Sequence, residues 1–394
     1  MIKCIELILN QKEKNMSFCH LHTHTEYSLL DGSNKIKDYV ARVKELGMNS
    51  AAITDHGNMY GVVDFYKEAK ANDINPIIGC EVYVAPNSRF DREASHGEDK
   101  YHHLILLAEN NTGYANLMKI VSIGFTEGYY YKPRVDFEVL EKYHEGLICL
   151  SACLAGEVPR NIVRGFLDEA KEIALKYEKC FGKGNYFLEL QDHGISDQKI
   201  VNQHLYKMSK ELSIPLVCTN DIHYTYESDV EAHDVLLCIQ TGKLVTDEDR
   251  MRYEGGQFYV KSEEEMLKLF PYAKEAVENT QKIADRCHVT LEFGNYKIPK
   301  YEIPEGYDTA YDFLLHLCDE GFKKKYKDFT PLEGVVFNWE AGLFRGAGAI
   351  IVKVDGKKYS TLSYFNNEEC NELVGKTISY AIIDDILFVY DVKE

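Results

Sequence analysis

Histidines occupy alternate positions in His20-Leu21-His22-Thr23-His24, and Asp55-His56, Glu81, His103, Cys153, His193, Asp221 and His223 follow along the chain. In extended backbone an H-x-H pair sets both imidazoles on one side, about 6–7 Å apart, a span one metal ion closes when the chain bends. A single histidine at a strand end is more often a satisfied polar residue than a ligand. Imidazoles, carboxylates and a thiol converging from many strands are different, because without a metal such a cluster leaves buried polar groups competing for few partners. That donor mixture suits zinc first, with manganese or iron as alternatives, and it exceeds what one ion accepts. Two or three divalent ions sharing bridging carboxylates are expected, and clusters of that kind hydrolyse phosphate esters by activating water and holding phosphoryl oxygens.

The elements that must bring these groups together are legible as short apolar runs. Strands are expected at Phe18–Leu21, Ser50–Thr54, Pro76–Val84, His103–Ala108, Gly146–Ser151, Tyr186–Leu190 and Pro215–Thr219, each near-continuously apolar, as strands covered on both faces are. Amphipathic segments such as Lys35–Leu46 and Ile162–Phe181 lie between them. Repeated βα units around a parallel sheet follow, and seven in one block favour a closed barrel over an open sheet. In such a barrel the C-terminal strand ends converge on one face, where most of His20, His22, His24, Asp55, His56, Cys153, His193, Asp221 and His223 would point at one another. Glu81, within its strand, and His103, at the start of its own, are exceptions that could still reach the interior.

After Tyr296 the pattern changes: Pro299 and Pro304 precede a helix expected at Thr309–Tyr326 that ends in Lys323-Lys324-Lys325. From Thr330 onward a small β-rich domain is expected, with strands at Ala349–Val354, Lys358–Leu362 and Ile378–Val392, a hairpin turn at Asp355-Gly356 and a short helix at Glu368–Leu373. Acidic residues outnumber basic ones there ten to six, so it does not read as a cationic clamp. The domain reading is an N-terminal extension at 1–15 with the fold starting at Met16, the metal-bearing domain at 16–295, a connector at 296–329 and the β-rich domain at 330–394.

The whole chain has 394 residues, 45 Lys plus Arg and 63 Asp plus Glu, for a net charge of −18. That balance excludes a broadly basic surface gripping nucleic acid through phosphate neutralisation alone, so any such contact is local or metal-assisted. The 11 cysteines are odd in number, scattered and without a C-x-x-C pair, the pattern of reduced thiols and of a cytoplasmic protein. The apolar patch Ile5–Leu9 is too short for a membrane span or signal peptide.

Five ordered motifs, His20–Gly32 (HLHTHTEYSLLDG), Thr54–Gly61 (TDHGNMYG), Gly79–Pro86 (GCEVYVAP), Leu150–Glu157 (LSACLAGE) and Thr219–Tyr224 (TNDIHY), resemble the PHP (polymerase and histidinol phosphatase) domain. The match is closest to the form at the N-terminus of bacterial replicative DNA polymerase III alpha subunits and covers about residues 16 to 329. The resemblance implies a distorted seven-stranded (βα) barrel with a trinuclear metal site. Its nine ligands carry over onto His22, His24, Asp31, His56, Glu81, His103, Cys153, Asp221 and His223. It further implies that His22, His24, Glu81 and Asp221 hold one ion, that Glu81 bridges to a second held by His103 and Cys153, and that Asp31, His56 and His223 hold the third.

The expected activity is a metal-dependent phosphoesterase, a 3′-to-5′ exonuclease on DNA ends, with Glu81, Asp221 and His223 as its catalytic residues. Replisome proteins are candidate partners. The rivals are a small-molecule phosphatase of the histidinol phosphatase type and a non-catalytic replication module. His20 and Asp55 are candidates to orient ligand imidazoles, and His193 to contact substrate phosphate. His102, facing away from His103, is expected to be exposed or structural. Tyr129–Tyr131 with Lys132 and Arg134 could stack bases, though such loops are usually packed surface. The resemblance stops near Phe329, leaving no place within these residues for a polymerase palm, so this chain alone is not expected to synthesise DNA.

Overall fold

The near-continuous apolar runs form strands whose alternate residues divide between two apolar clusters. The computed structural model describes residues 18–92, 99–295, 298–325, 332–341, 347–362, 365–383 and 386–393, so the expected N-terminal extension and the end of the connector helix at Tyr326 lie outside the described residues. The chain divides into two compact units, Met1–Glu292 and Phe293–Glu394.

In the first unit the strands are β1 (Ser50–Ile53), β2 (Asn75–Val84), β3 (His102–Ala108), β4 (Tyr129–Tyr130), β5 (Lys132–Val135), β6 (Leu147–Leu150), β7 (Tyr186–Leu190) and β8 (Leu216–Cys218). They form one sheet in the order β4-β5-β2-β3-β6-β7-β8, with β1 also on β2. Ile77, Ile105, Leu107, Ile148, Phe187 and Val217 face one cluster. Their neighbours Ile78, Leu104, Leu106, Cys149, Leu188 and Cys218 face the larger one, against the helices. Burial on both faces is why these runs lack the alternation of a half-exposed sheet.

Three expectations for this unit are corrected. The sheet is not all parallel: β3 runs antiparallel to both β2 and β6. The helix expected over Ile162–Phe181 is two helices, Glu157–Val163 and Leu167–Phe181, broken where Gly165 takes a φ of +83°. Residues 18–21, expected as a strand, form no regular ladder, yet Ala52 donates its backbone N–H to His20 O, and Ile222 donates to His22 O. The segment thus runs between β1 and the chain leaving β8.

The helix Lys274–Ala284 closes one end of the curl. Ile283, Ala284 and Cys287 join the inner cluster, and hydrogen bonds tie Thr280 to Cys19 N, Asn279 to Leu216 O and Asn75 to Ala284 O. These anchor points are the starts of the neighbouring strands, so the end left for a site is the opposite one.

The second unit holds a helix, Ala310–Lys325, with no buried residue. It also holds strands β9 (Leu332–Ala341), β10 (Ala347–Val354), β11 (Lys357–Ser360), β12 (Phe365–Asn366), β13 (Thr377–Ile383) and β14 (Ile386–Lys393), with the helix Asn367–Leu373 between β12 and β13. The strand expected over Ile378–Val392 is instead an antiparallel pair, β13 and β14, while β9 lies in a stretch with no expected element. Asp355 and Gly356, both at positive φ, make the β10–β11 turn.

Candidate metal centre

Strand direction decides how His103 reaches the site. Because β3 is antiparallel, its first residues lie at the same end as the last residues of β2, with Tyr83 opposite His103. Glu81 also lies at that end, because β2 outruns β1: His56, beyond the end of β1, bridges to Glu81. Cys153 and Asp221 leave β6 and β8 through left-handed backbone, at Ala152 (φ 63°) and at Asp221 itself (φ 43°), a conformation Asp tolerates better than most residues. Gly32 lets the chain after Asp31 pass Thr25, whose carbonyl oxygen would lie 2.1 Å from any Cβ at that position.

The side chains meet in three groups, each with ligand atoms within 4.8 Å of one another: His22, His24, Glu81 and Asp221; Glu81, His103 and Cys153; and His24, His56 and His223. His22 Nε2 lies 3.1 Å from His24 Nε2, 3.0 Å from Glu81 Oε2 and 3.1 Å from Asp221 Oδ1. The other Glu81 oxygen, Oε1, is 2.7 Å from His56 Nδ1 and 2.8 Å from His103 Nδ1. One carboxylate therefore belongs to two groups and touches His56 of the third. Asp31 joins the third through Oδ2, 2.8 Å from His56 Nε2, and Oδ1, 3.9 Å from His223 Nε2.

These groups are buried together and hold one another's charge. Burial alone would lower the His56 pKa, but Glu81 and Asp31 on either side raise it to about 10. Burial works against the charged form of Asp221 too, and is outweighed by His22 and His223, which hold its carboxyl well below the usual range. His24, buried among histidines, falls to about 3. Burial, with Asp221 and Glu81 nearby, pushes the Cys153 thiol up.

A divalent cation fits this arrangement better than protons do. Asp31 Oδ1 and Asp221 Oδ1 are buried without a hydrogen bond, although Asp221 Oδ1 lies 3.1 and 3.2 Å from two imidazole nitrogens. Lone pairs crowded at such distances but misaligned for hydrogen bonding point at a common centre rather than at each other.

The residues around the ligands sort by contact. Asp55 accepts from Ser28 Oγ at 2.7 Å, and Ser28 Oγ is 3.1 Å from His24 Nδ1, so Asp55 reaches a ligand imidazole through one hydroxyl. His20 bonds Lys261 O instead of a ligand. His193 is buried, stacked on Phe258 at 3.8 Å with Nε2 on Asn220 O, and it joins none of the three ligand groups. His102 is buried as well. Tyr129 and Tyr131 are exposed.

Glu189 belongs to this site and was not among the expected residues. Its Oε1 is 2.7 Å from His22 Nδ1 and accepts from Gln191 and Thr219, and its side chain is fully buried. A carboxylate inside the otherwise apolar run Tyr-Phe-Leu-Glu-Leu was the available signal. By fixing which His22 nitrogen carries the proton, Glu189 leaves Nε2 free for a cation. Glu189→Gln is expected to weaken metal binding about 10- to 100-fold, read by titration of the chelated protein; unchanged affinity would remove Glu189 from the site.

Residues 20–193 match the PHP domain family, and the chain carries a PHP domain. It is 47% identical over 314 residues to the DNA polymerase III subunit alpha of Borreliella burgdorferi, covering 79% of this chain and 27% of that protein. The subunit of Treponema pallidum is 47% identical over 311 residues, with the same two coverages. The chain thus spans about a quarter of the length of these relatives. Among solved structures, a protein of Bifidobacterium adolescentis described as a metal-dependent phosphoesterase aligns with 64% of this chain at 12% identity and a TM-score of 0.35. No helix among the described residues is long and apolar enough to cross a membrane.

Proposed function

We propose that the PHP region is a metal-dependent phosphoesterase acting as a 3′-to-5′ exonuclease on DNA. The observation that carries this reading is the sharing of Glu81 between two ligand groups, with its Oε1 also 2.7 Å from His56 of the third, which makes one multinuclear centre out of three groups. Bound divalent ions, zinc first and manganese or iron as alternatives, would supply water activation and neutralise charge on the phosphoryl oxygens.

The chain's own residues hold and orient. Glu81 and Asp221 are the anchoring carboxylates, His22, His24, His56, His103 and His223 set the geometry, and Asp31 completes the third group. Glu189 and the Ser28–Asp55 pair fix the tautomers of His22 and His24. Cys153 serves as a thiolate ligand and not as a nucleophile, since without a cation its thiol stays protonated. Residues 16–295 are read as this domain, a distorted seven-stranded barrel closed by residues 18–24, with 296–329 as connector and 330–394 as a separate β domain. Similarity to a replicative subunit supports DNA as substrate, replisome proteins as partners and the cytoplasm as location.

The test is release of mononucleotides from a 3′-recessed duplex before and after chelation, with Asp221→Asn as control. Chelator-sensitive release that Asp221→Asn abolishes while the protein stays folded is the expected result. Turnover of phosphate monoesters alone would favour a small-molecule phosphatase, and metal binding without any turnover a structural module.

A further inference from the structure

The small β domain has a topology that speaks to its ligand. Strand β9 pairs β10, β10 pairs β11, β11 pairs β14 in parallel, β14 pairs β13, and β13 returns to β9. With the two-residue β12, which pairs only the start of β10, set aside, the other five strands numbered within the domain close in the order 1-2-3-5-4-1, with every pairing antiparallel except 3 with 5. The helix Asn367–Leu373 falls between strands 3 and 4 and sends Cys370 into the core beside Val336, Ile350, Ile378 and Leu387. That strand order with that helix is the OB-fold, a small Greek-key barrel whose outer face over strands 2 and 3 receives oligonucleotides.

This face carries the matching chemistry. Ile350 and Val352 point into the core, so Lys353 projects outward, and it pairs in register with Lys358 on β11. Phe337 sits where β9 bulges against Ile351 and Val352 and is 50% exposed. Lys353 Nζ lies 3.6 Å, and Lys358 Nζ 5.9 Å, from the centre of its ring. Neither lysine has a carboxylate partner among the described residues, and Glu333 on the same strand is taken up by Lys393. An exposed ring carrying two lysine ammoniums that lack a carboxylate partner among the described residues is a stacking platform with phosphate contacts, the arrangement that holds single strands without reading sequence.

We propose that residues 332–393 form an OB-type module that binds single-stranded nucleic acid on the face made by Phe337, Lys353 and Lys358. The acidic balance of the domain does not oppose this, because stacking supplies the affinity and only two phosphates need neutralising. The module does not depend on the metal centre, so its failure and the failure of the exonuclease reading are separable.

The test uses the whole chain in chelator, which stops hydrolysis, and follows the anisotropy of a labelled oligo-dT of about 12 nucleotides, within the range one such barrel covers. Phe337→Ala is expected to bind about 5- to 150-fold more weakly, the loss of one stacked base, while Phe337→Tyr keeps affinity. Lys353→Gln with Lys358→Gln is expected to flatten the salt dependence by about 1.4 in the log–log slope, two phosphates' worth. Melting curves matching the parent show that the exposed substitutions leave the barrel intact. No binding of oligo-dT, affinity unchanged in both the Phe337→Ala and the lysine variants, or binding of a protein on this face in place of the oligonucleotide would overturn the proposal.

Discussion

Glu81→Gln is expected to empty two of the three ligand groups at once. The amide keeps the shape of the side chain but loses its charge and one lone-pair oxygen, and both oxygens are engaged, Oε2 toward His22 and Oε1 toward His56 and His103. A variant of Asp31 touches only the third group, so Glu81 is where the largest loss falls. Metal content should drop from two or three ions per chain to one at most, measured by elemental analysis after dialysis. If hydrolysis uses the whole centre, turnover should fall at least about 10³-fold, because several kcal/mol of charge stabilisation are lost at about 1.36 kcal/mol per factor of ten. Retention of full metal content in a folded Glu81→Gln protein would refute the shared-carboxylate arrangement.

Much of the site could be read from residue types and spacing, and the remainder turns on features that local pattern does not carry. The H-x-H motif, Asp55-His56 and Asp221 with His223 stand at segment ends, so their convergence follows from the sheet alone. His103 looked misplaced at the start of its strand, because an apolar run does not encode direction; the antiparallel setting of β3 removes the difficulty. His193 carries the same residue type at the same kind of position as the residues that meet in the three ligand groups, yet it packs on Phe258 instead of joining them. Glu189 escaped notice because its neighbours read as plain core. In the second unit the β-rich character was legible, but closure into a ring depends on the parallel contact between Ser360 and Ile386, a pairing between segments remote in sequence.

Adding divalent ions to the chelated protein is expected to raise its melting temperature, with an increment that grows with pH. An ion present at 100 times its dissociation constant stabilises by about 2.7 kcal/mol, so two ions supply about 5 kcal/mol. For a unit of this size each kcal/mol moves the midpoint about 2–4 °C, giving a rise of about 10–20 °C. The pH sign follows from His56, whose pKa is raised from 6.5 to about 10 in the metal-free protein. Its protonated pairing with Glu81 and Asp31 stabilises the metal-free fold fully below pH 6.5 and is lost as pH rises toward 10, while the ions must displace that proton to bind. Protons and ions therefore compete for the same imidazoles, and the metal-induced shift should be smallest near pH 6 and larger by pH 9. Asp31 and Glu81 are the other halves of the same pairs and add no separate step in this window. A shift that is absent, or that shrinks as pH rises from 6 to 9, would refute metal binding at these imidazoles, whichever substrate the centre serves.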